Sequence, residues 1–248
     1  VATFLSRILG LIREQSIAAM FGASGITDAF WVAYRIPNML RDLFAEGAFS
    51  AAFVPVFTEL RQKSDSEARS LLWSLFILLS SVTMLISAIV MFFAPEIVGL
   101  ISPSFLDSPT KLELTVNLTR IMAPFLVIIS IAALFMGALN SMKVFFIPAL
   151  APALFNISMI SSILFLPSVL HYYEIKSIYA LAIGVMAGGV LQALFQFPLL
   201  IKHSYGPTRK AIKLISKDTK KVMNRVGIGT VGIAATQINI LVNTILAT

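Results

Sequence analysis

Long apolar stretches recur along this chain. Five runs free of charged side chains, at 70–95, 121–142, 144–173, 177–201 and 226–248, each reach the length a helix needs to cross a bilayer core, about 20 residues. Their apolar positions do not alternate, so they do not read as strands of a closed barrel. The other structure that satisfies every backbone group in lipid is the helix. The N-terminal region has a different texture. It is apolar overall but carries Arg7, Arg13, Glu14, Asp28, Arg35, Arg41, Asp42 and Glu46. Two helices are predicted there, 1–21 and 26–60, joined by the turn-forming Gly22-Ala23-Ser24-Gly25. At about 1.5 Å per residue the second exceeds 50 Å and should project beyond the bilayer.

The expected fold is therefore all-α, a polytopic transmembrane helical bundle of seven helices. It divides into an N-terminal six-helix lobe (1–203), a basic linker (204–225) and the start of helix 7 (226–248). Because the chain opens and closes inside apolar helical pattern, it is expected to be part of a longer protein.

Composition supports lipid as the solvent. Only 12% of residues are charged and 58% are hydrophobic, with a mean hydropathy of +0.89. A soluble domain carries about 25% charged residues. The net charge of +7 does not point to nucleic acid, because eight basic residues cluster between Lys202 and Arg225, in one connection between apolar runs. Arg61, Lys63 and Arg69, and later Lys143, mark two more basic connections, whereas 22–27 lacks charge before Asp28 and 95–114 is nearly balanced. The positive-inside rule then places the N-terminus and the basic connections in the cytoplasm. Within the linker, Ala211, Ile212, Leu214 and Ile215 interleave with lysines. This suits either a short interfacial helix on anionic membrane lipids or a solvated connection. There is no cysteine, which removes disulfides and thiolate metal sites.

A charge inside a membrane helix costs about 2.5–3.5 kcal/mol on insertion scales, so the charged N-terminal helices need a reason. Snorkelling accounts for Arg7 near a helix end better than for Arg13 and Glu14 further in. Ser6, Gly10 and Arg13 recur at i, i+4 and i+7 and share one face of the first helix. On the second, Asp28, Arg35 and Asp42 recur at intervals of seven, with Asn38 on the same stripe and Arg41 and Glu46 beside it. Such stripes turn towards protein or a watery cavity. Mutual ion pairing is one reading of them; ligand binding is the other. All the cations on these two helices are arginine, whose planar fork suits phosphate or carboxylate. His171 and His203 have no metal-type companions and no phosphate loop or hydrolase motif occurs, so no cofactor, metal or catalytic group is expected. Asn156, Gln192 and Gln196 read first as interhelical hydrogen bonders, and Gly188-Gly189 as a close-packing site. Pro148 and Pro152 are the best hinge candidates.

The residues Ser6-Arg7-Ile8-Leu9-Gly10-Leu11-Ile12-Arg13-Glu14, then Phe21-Gly22-Ala23, Thr27-Asp28-Ala29-Phe30 and Arg35-Ile36-Pro37-Asn38 closely resemble the opening of the MurJ/MviN family of lipid II flippases. So do Arg41, Phe44-Ala45-Glu46-Gly47-Ala48-Phe49-Ser50 and Phe53-Val54-Pro55. The resemblance continues more thinly to Gly188-Gly189-Val190-Leu191-Gln192. It implies the multidrug/oligosaccharidyl-lipid/polysaccharide exporter superfamily, with two six-helix lobes facing a central cavity, in the bacterial inner membrane. The implied substrate is lipid II, an undecaprenyl-pyrophosphate-linked peptidoglycan precursor, and the implied partner is the C-terminal half of the same protein. By similarity Arg7, Arg13 and Arg41 match the family's cavity arginines and Asp28 its acidic residue. Ser6, Asn38 and Glu46 match neighbouring motif positions, and Glu14 stands where many members have Asp. The resemblance further implies alternating access, with the arginines binding pyrophosphate and Asp28 pairing with an arginine in one state. Two other readings stay open: a cation-coupled multidrug exporter, which needs carboxylates without matching arginines, and a non-transporting membrane scaffold.

Overall fold

The computed structural model describes residues 2–22, 24–41, 48–207, 212–214 and 216–229. Its helices are α1 (Ala2–Phe21), α2 (Gly25–Arg41), α3 (Ala48–Lys63), α4 (Asp65–Phe92), α5 (Ala94–Ile101), α6 (Pro109–Met122), α7 (Phe125–Ser141), α8 (Phe146–Tyr172) and α9 (Tyr179–Lys202). A 3-10 turn at Pro103–Asp107 precedes α6, and residues 217–229 are helical. No strand occurs among the described residues. The all-α expectation stands.

Among the described residues, four stretches are long and apolar enough to cross a bilayer: Asp65–Phe92, Pro109–Ser141, Phe146–Tyr172 and Tyr179–Lys202. They contain four of the five runs read from the sequence. Of the fifth, 226–248, everything beyond 229 lies outside the described residues. The surface agrees with a lipid solvent: Phe92, Leu85 and Phe165 are 76%, 63% and 71% exposed, on a scale that water does not tolerate across a whole surface.

Several boundaries differ from expectation. The crossing expected at 121–142 begins at Pro109, because Arg120 closed the charge-free window. Its guanidinium is accommodated: Nε donates to the Met91 carbonyl at 3.2 Å, one of the orphan acceptors at the end of α4. Pro124 divides this crossing into α6 and α7. The connection expected at 95–114 is largely helical, and Pro95, Pro103 and Pro109 each stand in the opening turn of an element. There the missing N–H is no loss. Pro148 sits in the first turn of α8 for the same reason and does not interrupt it, while Pro152 lies inside the helix.

The helix expected at 26–60 is described as α2 and α3, with 42–47 outside the described residues. The two follow the α6–α7 crossing along its length. Asp28 near the start of α2 meets Lys111 near the start of α6 at 3.0 Å. A Cβ on Gly137 of α7 would lie 3.1 Å from the Phe53 ring on α3. At the far end, Arg61 donates to the Ser141 carbonyl at 2.6 Å. The core follows the same division. Phe49, Phe53 and Phe57, one helical turn apart, stack down α3 towards Tyr205. Phe30, Phe125, Phe155 and Met159 fill the other half. The Gly188-Gly189 expectation is met in detail: α9 packs so closely that a Cβ on Gly188 would stand 2.7 Å from the Phe155 ring.

The helix ends nearest Lys143 and Ser204 belong to one end of the bundle, and that end is latched. Tyr205 is buried; its hydroxyl donates to Asp65 at 2.5 Å and its carbonyl accepts from the Trp73 indole at 2.9 Å. Arg69 Nε donates to the Gly206 carbonyl at 2.7 Å. The helix at 217–229 lays Thr219, Val222 and Val226 inward, at a helical repeat, and Lys221 approaches Glu59 at 3.5 Å. Burial, then the hydrogen bond to Asp65, pushes the Tyr205 phenol well above its ordinary value. A raised folded value favours the protonated phenol, so the latch contributes its full stability below pH 10, and that contribution is lost as pH climbs from there through the raised folded value. Tyr205→Phe is expected to cost about 1.5 kcal/mol, the lower range for a hydrogen bond to a charged group. This is measurable as a lower melting temperature of the purified protein; unchanged melting would show that the bond contributes nothing.

Candidate functional site

The site residues fall on two elements that diverge: α1 lies along α8, whereas α2 lies along α6. On α1 the face bearing Ser6, Gly10 and Arg13 is turned onto α8. The helices meet at ordinary contact distance at Gly10, where a Cβ would sit 3.7 Å from the Asn156 amide. Asn156 is buried and bridges the two helices. Its Oδ1 accepts from Arg13 Nη1 at 3.0 Å, and its Nδ2 donates to the Ser6 carbonyl at 3.0 Å. One amide thus fixes both the register of α1 and the direction of the Arg13 side chain.

Arg13 also pairs with Glu14 through Nη2. Its Nε–H is buried and makes no hydrogen bond among the described residues. An unmatched buried donor is costly until an oxygen meets it. The guanidinium is therefore held in place and only partly satisfied. Arg7, by contrast, is exposed and has no ion-pair partner among the described residues.

On α2 the stripe is uncovered by the lobe itself. Ala29, Phe30, Ala33 and Ile36 are buried on the opposite face, leaving Asp28 and Arg35 exposed and Asn38 half-buried. Arg41, the last residue of α2, is half-buried and already engaged. Asp28 does not pair with an arginine here. Its partner is Lys111 of α6, whose ammonium also lies 4.2 Å from the centre of the Phe105 ring. Arg13 pairs with Glu14 and Asp28 with Lys111, while Arg7 and Arg35 are exposed. Glu46 and Asp42 lie outside the described residues.

Sequence reasoning named Asn156 only as a general hydrogen bonder and did not connect it to Arg13. The one available signal was a lone amide inside an apolar helix. Lys111 is hidden in the nearly balanced charge of 95–114, and its helical setting, hence its reach to Asp28, is not visible in the sequence.

Comparison with known proteins bears on this arrangement. The family model described as "Lipid II flippase MurJ" matches residues 17–248. A probable lipid II flippase MurJ of Treponema pallidum is 41% identical over 255 residues, covering 99% of this chain and 46% of the relative. The lipid II flippase MurJ of Burkholderia cenocepacia is 37% identical, covering 99% and 48%. A solved lipid II flippase MurJ in an inward closed conformation superimposes with a TM-score of 0.78 at 29% identity, over 98% of this chain and 49% of that one. The chain spans about half the length of the relatives it matches.

Proposed function

The chain belongs to the MurJ family of lipid II flippases, and from that premise we propose that it forms one lobe of a transporter that carries lipid II across the bacterial cytoplasmic membrane. The observation that supports this most directly is Arg13, held on α8 by Asn156 with a buried N–H still unmatched. A pyrophosphate supplies the oxygens such a guanidinium lacks, and bidentate geometry suits it. Arg7 and Arg41 add positive charge at the ends of α1 and α2. The sugar–peptide head would occupy the space between this lobe and the other half of the protein, the polyprenyl tail staying in lipid.

Transport then proceeds by alternating access, one lobe rocking against the other. The cytoplasmic face is the latched end, where Arg61, Arg69 and the basic helix at 217–229 gather. Attraction of the anionic head to the arginines would load the carrier from that side. The membrane potential is one available drive, worth about 2.3 kcal/mol per unit charge per 100 mV. The Asp28–Lys111 pair, on the opposite end, ties α2 to α6 and would move with the lobe.

The test is lipid II exposed on the outer leaflet of cells that depend on the full-length parent. Expression of that parent should restore exposure, and its depletion should remove it. Restored growth without any change in exposed lipid II would rule the flippase reading out.

A further inference from the structure

A cleft of about 410 Å³ opens on the uncovered side of α2, lined by Trp31, Val32, Tyr34, Arg35 and Asn38, a volume usual for small-molecule sites. Trp31, Arg35 and Asn38 follow one another at +4 and +3, so they stand on one helix face, opposite the buried Ala29, Phe30 and Ala33. The indole is held rigidly. Its ring meets Phe30 edge-on at 5.3 Å and Tyr34 at 6.3 Å, and Phe30 stacks on Tyr34 at 5.7 Å. Phe30 itself is fully buried, which anchors the group. The Trp31 indole N–H and the Arg35 guanidinium make no hydrogen bond among the described residues.

The cleft therefore offers a flat aromatic surface ringed by N–H donors: the indole, the guanidinium and the Asn38 amide. Asp28, the carboxylate of this stripe among the described residues, is already held by Lys111. Hydrocarbon has no use for Arg35 and Asn38, and a cationic drug is disfavoured by Arg35. A sugar ring fits both halves of the surface. Its C–H face packs on an indole, and ring or N-acetyl oxygens accept from the donors around it. We propose that Trp31, Arg35 and Asn38 form a subsite for an N-acetylated sugar of the lipid-linked head group, with Tyr34 holding the indole in position.

This rests on the flippase reading and extends it. Arg35 lies about 9 Å and Trp31 about 15 Å along α2 from Arg41, a span that sugars linked to a pyrophosphate would bridge. The subsite would make the carrier sense the glycan as well as the phosphates, so that polyprenyl pyrophosphate without sugars is held less well.

The experiment compares two ligands on the purified full-length parent: polyprenyl pyrophosphate alone, and the same lipid bearing its N-acetylated disaccharide and peptide. The wild type should prefer the glycosylated lipid. Trp31→Ala should lower that preference about tenfold, through the glycosylated ligand, with little change for the sugar-free one. Arg35→Gln, at an exposed position, should move it in the same direction and serves if Trp31→Ala does not fold. Arg41→Ala should weaken both ligands together. If the wild type binds neither ligand, the flippase reading fails. If Arg41→Ala weakens both but the Trp31 and Arg35 variants keep the wild-type preference, flipping stands and the sugar subsite is overturned.

Discussion

Arg13→Ala in the full-length parent is expected to reduce lipid II on the outer leaflet at least tenfold at matched membrane levels. Two losses combine. A charge-assisted hydrogen bond is worth about 1.5–3 kcal/mol, and each 1.4 kcal/mol is a factor of about ten. The variant also strands the Asn156 Oδ1 that accepted from Nη1, loosening α1 on α8. Arg13→Lys keeps the charge but not the fork, so partial activity is expected. Asn156→Ala separates the two effects: the guanidinium survives without its anchor, and exposure should fall less than in Arg13→Ala. Arg41→Ala should match Arg13→Ala in direction. Wild-type exposure in both alanine variants would leave the flippase reading intact and remove the arginines from its mechanism.

The second large effect is on folding. Gly188→Val should prevent stable assembly of α9 on α8. A Cβ at this position would stand 2.7 Å from Phe155 Cδ2 and 3.2 Å from the Phe155 backbone. The backbone cannot turn aside, and the ring is itself set against Phe125 at 5.9 Å. Overpacking of this kind costs about 1–3 kcal/mol, and a branched side chain sits at the severe end. Alanine is the milder case, since replacing a helical glycine returns up to about 1 kcal/mol of backbone propensity. Gly227 provides the control, with nothing within 4 Å of its would-be Cβ; Gly227→Ala should be tolerated. Membrane abundance and melting temperature report the result. A valine variant as stable as wild type would mean that the close contact does not constrain the fold.

The parts of this architecture that depend on lipid were legible in the chain itself. Hydropathy measures how long a helix faces hydrocarbon, so α4, α8 and α9 were found with ends close to those observed. The i, i+7 stripe on α2 was legible for a related reason, since charge must avoid lipid whatever else surrounds it. What could not be read is which polar group meets which. Arg13 and Asn156 are 143 residues apart, and nothing local in either helix specifies the other. Arg120 misled the reading in the opposite sense: a charge that ends an apolar run on paper continues the helix when it reaches an unpaired carbonyl next door. Pro95, Pro103 and Pro109 likewise appear as breaks in a linear scan, yet each opens an element. The all-helical fold was thus largely visible, whereas the candidate site was legible only as a set of side chains without their partners.

The separation of Arg13 from Asn156 also has a consequence in time. Chains are made at about 5–20 residues per second, so roughly 7–30 s pass between synthesis of the arginine and synthesis of the amide that receives it. Throughout that interval α1 exists as a charged helix with its permanent neighbour not yet translated. The insertion machinery, or the aqueous interface beside it, must shelter Arg13 until α8 arrives. The docking of α1 onto α8 is then a late event in biogenesis, although α1 leads the order of translation.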